Sequence, residues 1–176
     1  MKLNKNFILK ITLLFSFIFP IFSSENFIAS NLFAENYITN NRIINTKEEA
    51  EEEIKKLINQ AYKFEEENLL NDTYNLLKQI LILEKKFLGE NNPQVAATLF
   101  WIGEIYIKKG LLKNAEDCYL RALEIEEKSL GKSHSDLAIT YYLIGDLYQQ
   151  QGLYRKAEEN FLRALEIEEI NQDNND

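Results

Sequence analysis

The stretch that decides the fold is AATLFWIGEIYIKKGLLKNAEDCYLRALEIEE, residues Ala96–Glu127, because the chain repeats it 42 residues later. The second copy, AITYYLIGDLYQQQGLYRKAEENFLRALEIEE, occupies Ala138–Glu169 and is identical to the first at 17 of 32 positions. A fixed period of this size is typical of stacked-repeat architectures, in which neighbouring repeats share a continuous core. The sequence therefore predicts that function lies on a surface built from adjacent repeats.

A weaker copy precedes these two, because apolar residues recur upstream at spacings of three and four. The predicted repeats cover about residues 54–87, 96–129 and 138–170, each as a helix–turn–helix hairpin. They lie within a domain predicted at 47–170, followed by a polar tail over 171–176.

Capping patterns predict where the first helix of each hairpin begins. Thr46 and Glu49 have the spacing of a capping box, so a helix should start at about residue 47. Asn92 precedes a proline, a combination that suits the cap and first position of a helix. Ser133 and Asp136 have another cap-like spacing and predict a third start near residue 136.

Composition excludes several functions. The chain has 176 residues and a net charge of −8; residues 1–34 contribute +2, which leaves −10 for the remainder. The acidic net charge of this part of the chain disfavours binding to nucleic acid, and its simplest interpretation is that it promotes solubility. The single cysteine, Cys118, and the single histidine, His134, offer no disulfide, metal site or nucleophile pair. We therefore expect no catalytic residues, metal or cofactor, and we interpret the repeated acidic run Glu124–Glu127 as a solvated helix face.

The amino terminus resembles a secretory signal peptide over residues 1–24, with three lysines followed by an apolar run at 11–22. Cleavage after Ser24 or after Ala34 is compatible with the sequence, and an uncleaved membrane anchor is the alternative. Residues 25–46 are predicted to be a disordered leader. The expected location is extracytoplasmic, either secreted or periplasmic, or membrane-anchored if the segment stays uncleaved.

Small and aromatic residues recur inside the repeat at positions that pack two helices together. The pattern Ile102-Gly103-x-x-Tyr106, followed by Ala115-x-x-x-Tyr119-x-x-Ala122, resembles the tetratricopeptide repeat. The 42-residue period and the Leu-Gly-Lys-Ser-His link resemble the kinesin-light-chain type of this repeat. The resemblance implies an all-α fold, a short right-handed solenoid of three hairpins. It also makes His134 a link residue near a helix start.

The resemblance further implies a concave face that binds protein or peptide. Where relatives carry paired asparagines, this chain has Phe100-Trp101 and Tyr142-Leu143, so their peptide chemistry does not carry over. The rings of Phe100 and Tyr142 either face a ligand or pack against the neighbouring helix. Aromatic groups beside carboxylates suit an extended or helical segment with apolar anchors and some basic character. The expected face comprises Ile58, Tyr62, Glu65, Phe100, Glu104, Ile107, Lys108, Tyr142, Asp146, Gln149 and Gln150.

The function predicted from the sequence is therefore a non-enzymatic scaffold for a protein or peptide partner. The alternative is a structural subunit that self-associates through its last repeat, because only six residues follow the third hairpin and stacks usually need a polar cap. Nucleic acid is not an expected partner, and a membrane is one only if the amino-terminal segment remains as an anchor.

Overall fold

The computed structural model describes residues 38–39 and 42–173, which divide into two compact units between Asn45 and Thr46. In the first unit, strand β1 (Ile38–Thr39) pairs antiparallel with strand β2 (Arg42–Ile43). These strands lie within the predicted disordered leader and were not expected, because two residues are too few to show an alternating pattern. The predicted signal peptide and both cleavage positions lie outside the described residues.

The second unit consists of six helices that form three consecutive hairpins. Each helix contacts the next one along the chain, so α2 packs on α3 and α4 packs on α5, and the hairpins stack. The predicted all-α repeat solenoid is thereby confirmed. No helix in the described part of the chain is both long and apolar enough to cross a membrane. The helices are α1 (Lys47–Glu66), α2 (Leu70–Phe87), α3 (Pro93–Lys108), α4 (Leu112–Leu130), α5 (Asp136–Gln150) and α6 (Tyr154–Asp173).

Two of the three predicted helix starts are confirmed with their side-chain caps. The Thr46 hydroxyl accepts a hydrogen bond from the Glu49 amide at 3.1 Å, and the Glu49 carboxylate accepts one from the Thr46 amide at 3.4 Å. Asn92 Oδ1 accepts from the amide of Gln94 at 2.9 Å, with Pro93 as the first helical residue. These contacts satisfy amides that the helix itself leaves without partners.

The third start has a different cap from the predicted one. Helix α5 begins at Asp136 as expected, but Ser133 lies outside it and the adjacent Ser135 makes no capping hydrogen bond. The Asp136 amide donates instead to His134 Nδ1 at 3.3 Å. The cap-like spacing was therefore misleading, whereas the expectation that His134 is a link residue at a helix start is confirmed.

Helix α6 continues three residues into the segment predicted as a polar tail. The Asn171 side chain donates to the carbonyl of Ile167 at 2.7 Å and to the carbonyl of Ser133 at 2.9 Å. These bonds tie the last turn to the link before α5, a long-range contact that local composition does not indicate.

The repeated residues pack the two helices of each hairpin against one another. A Cβ at Gly103 would overlap the ring of Tyr119, and a Cβ at Gly145 would lie 2.6 Å from the ring of Phe161. Glycine is therefore needed for the close helix approach that the repeat pattern predicted. Tyr119 also joins the core between the second and third hairpins, together with Ile144, Leu147, Tyr148, Ala115 and Ala157.

Candidate functional site

The first helices of the three hairpins line one open groove of about 610 Å³. Aromatic and aliphatic side chains alternate there with carboxylates, and two residues from second helices, Glu84 of α2 and Glu126 of α4, also reach it. The groove is lined by Ile58, Tyr62, Glu65, Glu84, Gln94, Ala97, Thr98, Phe100, Trp101, Glu104, Glu126, Asp136, Ile139, Thr140 and Leu143.

Five of the eleven residues predicted for the binding face line this groove, all of them from α1 and α3. They are Ile58, Tyr62, Glu65, Phe100 and Glu104.

The other six predicted residues do not line the groove. Lys108 lies at its edge, where its ammonium is paired with Glu65, and Ile107 packs against the core between the second and third hairpins. The remaining four, Tyr142, Asp146, Gln149 and Gln150, all belong to α5.

The cause of this difference is the path of the groove across the helices. It contacts residues 58–65 of α1 and 94–104 of α3, but residues 136–143 of α5. Shifted by the 42-residue period, the α3 segment corresponds to residues 136–146, so the groove keeps the same positions in α3 and α5. The α1 segment corresponds to residues 142–149, so the groove in α5 lies six residues closer to the amino terminus than in α1. The sequence interpretation assumed the same positions in every repeat, whereas the groove crosses the stack at an angle.

The aromatic positions Phe100 and Tyr142 differ from each other. Phe100 is half-buried, its ring centroid lies 5.2 Å from that of Tyr119, and it packs against two core clusters while lining the groove. Tyr142 is 59% exposed, its ring lies 5.4 Å from Phe161, and it is outside the groove. The ring of Phe100 therefore packs against the neighbouring helix and also lines the groove, so the two alternatives do not exclude one another at this position.

Trp101 is a groove residue that sequence reasoning missed. Its ring lies 4.6 Å from that of Tyr62, and its Nε1 donates to Glu65 Oε2 at 2.8 Å. Burial acts to raise the pKa of Glu65, but the hydrogen bonds from Lys108 and Trp101 outweigh it and lower that pKa. The available signal was the place of Trp101 beside Phe100, in the pair of positions where this sequence departs from the kinesin-light-chain type of repeat.

A carboxyl–threonine pair repeats at the floor of the groove. Glu84 accepts a hydrogen bond from the Thr98 side chain, and 42 residues later Thr140 Oγ1 donates to Glu126 Oε2 at 2.6 Å. Burial raises the pKa of Glu84 to about 7, because a carboxylate loses hydration there, and the bond from Thr98 only partly offsets this. The same cause, assisted by the charge of Asp136, raises the pKa of Glu126.

The interpretation of Glu124–Glu127 as a solvated face is thus only partly correct. Glu124 is exposed, but Glu126 is half-buried, and Glu127 accepts a hydrogen bond from the Tyr141 hydroxyl at 2.7 Å. The spacing of 42 residues between Glu84 and Glu126, and between Thr98 and Thr140, was the signal that could have located these pairs.

A smaller hollow of about 320 Å³ lies on the third hairpin. It is mainly apolar, and Gln149 of the predicted face belongs to it rather than to the groove. Its lining residues are Gln149, Tyr154, Ala157, Glu158, Phe161, Leu162 and Leu165.

Other kinds of site are sparse in the described residues. Among them, no three His, Cys, Asp or Glu side chains are placed to hold a metal ion. Burial raises the pKa of the Cys118 thiol to about 11, with a further contribution from Asp117, so this group stays protonated at neutral pH.

Stacked helical hairpins with a groove along their first helices define the class of helical repeat proteins. Residues 94–169 match the family model described as tetratricopeptide repeat, in agreement with the resemblance of the second and third hairpins to this repeat. No curated protein matches the sequence significantly.

Two solved structures are similar in fold. One is the crystal structure of BtubC (BKLC) from P. vanneervenii, with a TM-score of 0.58, 21% identity, and coverage of 61% of this chain and 42% of that one. The other is a putative kinesin light chain from Podosopora anserina with nearly identical TPR-like repeats, with a TM-score of 0.57, 18% identity, and coverage of 65% and 55%. The matched region therefore spans about half the length of these relatives.

Proposed function

We propose that this protein is a non-enzymatic scaffold that binds a segment of another polypeptide in the groove of the first helices. The observation that carries this proposal is the groove itself, which is open, continuous over all three hairpins and lined by exposed apolar side chains. Tyr62 and Ile139 are 55% and 66% exposed although both are large and apolar. Exposed apolar surface next to polar groups is typical of sites where proteins associate.

The test is a peptide selection against the full chain, followed by binding measurements with variants. Tyr62→Ser combined with Ile139→Ser removes two exposed apolar contacts without opening the core. Leu120→Ser is the matched control, because Leu120 is also exposed but lies outside the groove. We expect selected peptides to lose at least about tenfold in affinity for the double variant and nothing for the control. Equal binding to all three proteins would contradict the proposed site.

A second function, self-association, is favoured by the exposed apolar surface of the third hairpin. Twelve large hydrophobic side chains of the described chain are exposed, and seven of them belong to this hairpin. Such a concentration marks a surface that a partner can cover. The seven are Ile139, Tyr142, Leu153, Tyr154, Leu162, Leu165 and Ile170.

The partner that we propose for this surface is the third hairpin of a second copy. A head-to-tail contact would bring α1 against α6, but α1 carries Gln60 and Lys63 where α3 buries Ile102 and Ile105. The apolar face of the third hairpin therefore matches its own copy better than the first hairpin, which favours a two-fold dimer.

Sedimentation of the full chain at several concentrations measures its oligomeric state directly. We expect a concentration-dependent dimer in the micromolar range, converted to monomer by Leu162→Glu with Leu165→Glu but not by Leu120→Glu. A monomeric wild-type chain at these concentrations would rule out the self-association.

We also propose that the protein acts outside the cytoplasm, on the basis of the basic and apolar order of residues 1–22. Amino-terminal sequencing of the chain from its host should find a mature start at Glu25 or Glu35. A full-length chain in the membrane fraction would instead support the uncleaved anchor.

A further inference from the structure

The groove has a one-sided charge. Its lining includes the five acidic residues Glu65, Glu84, Glu104, Glu126 and Asp136, and no lysine or arginine is among the lining side chains. A concave surface with one sign of charge concentrates ligands of the opposite sign.

Among these five carboxyl groups, Glu65 alone has a lysine or arginine partner within the described chain. Glu65 is paired with Lys108, and Asp136 lies 3.7 Å from His134 Nδ1. No ion pair of the described residues includes Glu84, Glu104 or Glu126. Glu126 accepts only a neutral hydroxyl bond from Thr140.

Glu84 is an independent sign that the groove is incomplete without a ligand. This residue lines the groove, is only 2% exposed, and its Oε2 atom has no hydrogen-bond partner. A buried polar atom without a partner is costly, and folded proteins rarely leave one unsatisfied. A donor group inserted beside Thr98 would supply the missing hydrogen bond.

Apolar surface lies between these acidic groups. The half-buried ring of Phe100 and the exposed side chains of Tyr62 and Ile139 share the groove with them. A simple polycation would leave this surface uncovered, whereas a polypeptide with both basic and apolar side chains would satisfy both features.

We infer that the groove takes a polypeptide segment in which lysine or arginine side chains accompany apolar ones, with the basic groups meeting Glu104 and Glu126, which are exposed and half-buried. This inference rests on the proposed function and specifies the class of partner. Basic groups would neutralise the unpaired carboxylates, and the apolar ones would cover Tyr62 and Ile139.

The experiment is a selection of random dodecapeptides on the full-length protein, read as residue frequencies against the unselected library. We keep only peptides whose binding is lost with Tyr62→Ser and Ile139→Ser, so that each one reports on the groove. We expect these peptides to be enriched in lysine and arginine and depleted in aspartate and glutamate.

Affinities then test the named carboxylates. Glu104→Gln with Glu126→Gln should weaken a selected peptide by about threefold to tenfold per residue, and the loss should shrink at high salt. Glutamine keeps an acceptor for Thr140, so the fold is retained. Asp117→Asn, an exposed change on α4 outside the groove, is the matched control and should leave affinity unchanged.

The outcomes separate the two proposals. The inference is overturned if groove-dependent peptides show no excess of basic residues, or if their affinities do not change when Glu104 and Glu126 are substituted. The proposed function then remains intact. A selection that yields no groove-dependent peptide overturns the proposed function itself.

Discussion

The second and third hairpins share 17 of 32 compared residues but have different surroundings. Tyr119 is 2% exposed because its ring lies between its own hairpin and Ile144 and Leu147 of the next. Its counterpart Phe161 in the third hairpin is only half-buried. A second pair differs in the same direction, because Leu123 is half-buried whereas its counterpart Leu165 is 51% exposed. Residue identity thus sets how the helices of one hairpin fit together, whereas burial depends on the neighbouring hairpin. Stability in such stacks is a sum of repeat and interface contributions, so the same substitution should have unequal effects in the two copies.

The largest difference in the free energy of unfolding is expected between the substitutions Tyr119→Ala and Phe161→Ala, which remove equivalent rings from the two hairpins. Tyr119→Ala should lower the free energy of unfolding by about 3–5 kcal/mol, the usual cost of removing a buried aromatic side chain. Phe161→Ala should cost about half as much, because part of its ring already contacts water. Urea unfolding followed by circular dichroism measures both, and equal losses would contradict the burial argument.

The next comparison concerns Glu84 and Glu126, which occupy equivalent positions in successive repeats. The pKa of folded Glu84 is raised to about 7 from 4.5, so its proton is held more tightly in the folded state. The stability that this proton contributes is complete below about pH 4.5 and is lost as pH rises through about 7. Glu84→Gln should therefore match the wild type near pH 4 and exceed its stability by on the order of 3 kcal/mol near pH 9.

Glu126→Gln is the internal comparison for this titration. The pKa of Glu126 is also raised by burial, but the residue is half-buried, so its variant should show the same direction with a smaller rise. Unfolding free energies at a series of pH values measure both variants. A stability of Glu84→Gln that parallels the wild type at every pH would show that Glu84 is already ionised when folded.

The glycines of the two hairpins provide a smaller contrast. Alanine in a helix is favoured over glycine by about 1 kcal/mol, but overpacking costs about 1–3 kcal/mol. At Gly103 the added methyl meets the fully packed Tyr119 ring, so Gly103→Ala should destabilise by about 1–2 kcal/mol net. At Gly145 the half-exposed Phe161 ring can shift, and Gly145→Ala should be close to neutral. Thermal unfolding of both variants measures the difference, and a larger loss at Gly145 would reverse the argument.

The same contrast explains which features could be predicted from the sequence. Helix number, hairpin order and the roles of Gly103, Tyr119 and Ala122 depend on contacts inside a repeat, and the 42-residue period displays those contacts directly. The path of the groove depends on how successive hairpins are offset, and no local pattern encodes that angle. Five of the predicted face residues, all from α1 and α3, line the groove and the four from α5 do not, while the binding role of this face stays a prediction.

The surroundings of Glu126 could not be predicted from the sequence for a related reason. Glu126 lies in the run Glu124–Glu127, which reads locally as a solvated surface, and only the hydroxyl of Thr140 on the next hairpin shows that it faces inward. Trp101 was likewise identified as a departure from relatives, but its partners Tyr62 and Glu65 are on the previous hairpin. Glu126 and Trp101 were missed because the contacts that define their surroundings are made with another hairpin, and periodicity describes one repeat at a time.

The smallest expected effect concerns polar contacts at the carboxyl ends of α3 and α5. Lys108 pairs with Glu65 on the preceding hairpin, whereas its counterpart Gln150 donates to Asp146 at 2.7 Å within its own helix. Both side chains are exposed, so each contact is worth at most about 1 kcal/mol. Lys108→Ala should cost about 0.5 kcal/mol and the loss should shrink at high salt, because it removes an ion pair between hairpins. Gln150→Ala should cost less and should not depend on salt, since a neutral amide remains within one helix. Urea unfolding at low and high salt distinguishes the two variants. A loss of stability for Lys108→Ala that does not depend on salt would contradict the ion-pair argument. It would mean that packing of the aliphatic part of Lys108, rather than its charge interaction with Glu65, joins the first two hairpins at this edge of the groove.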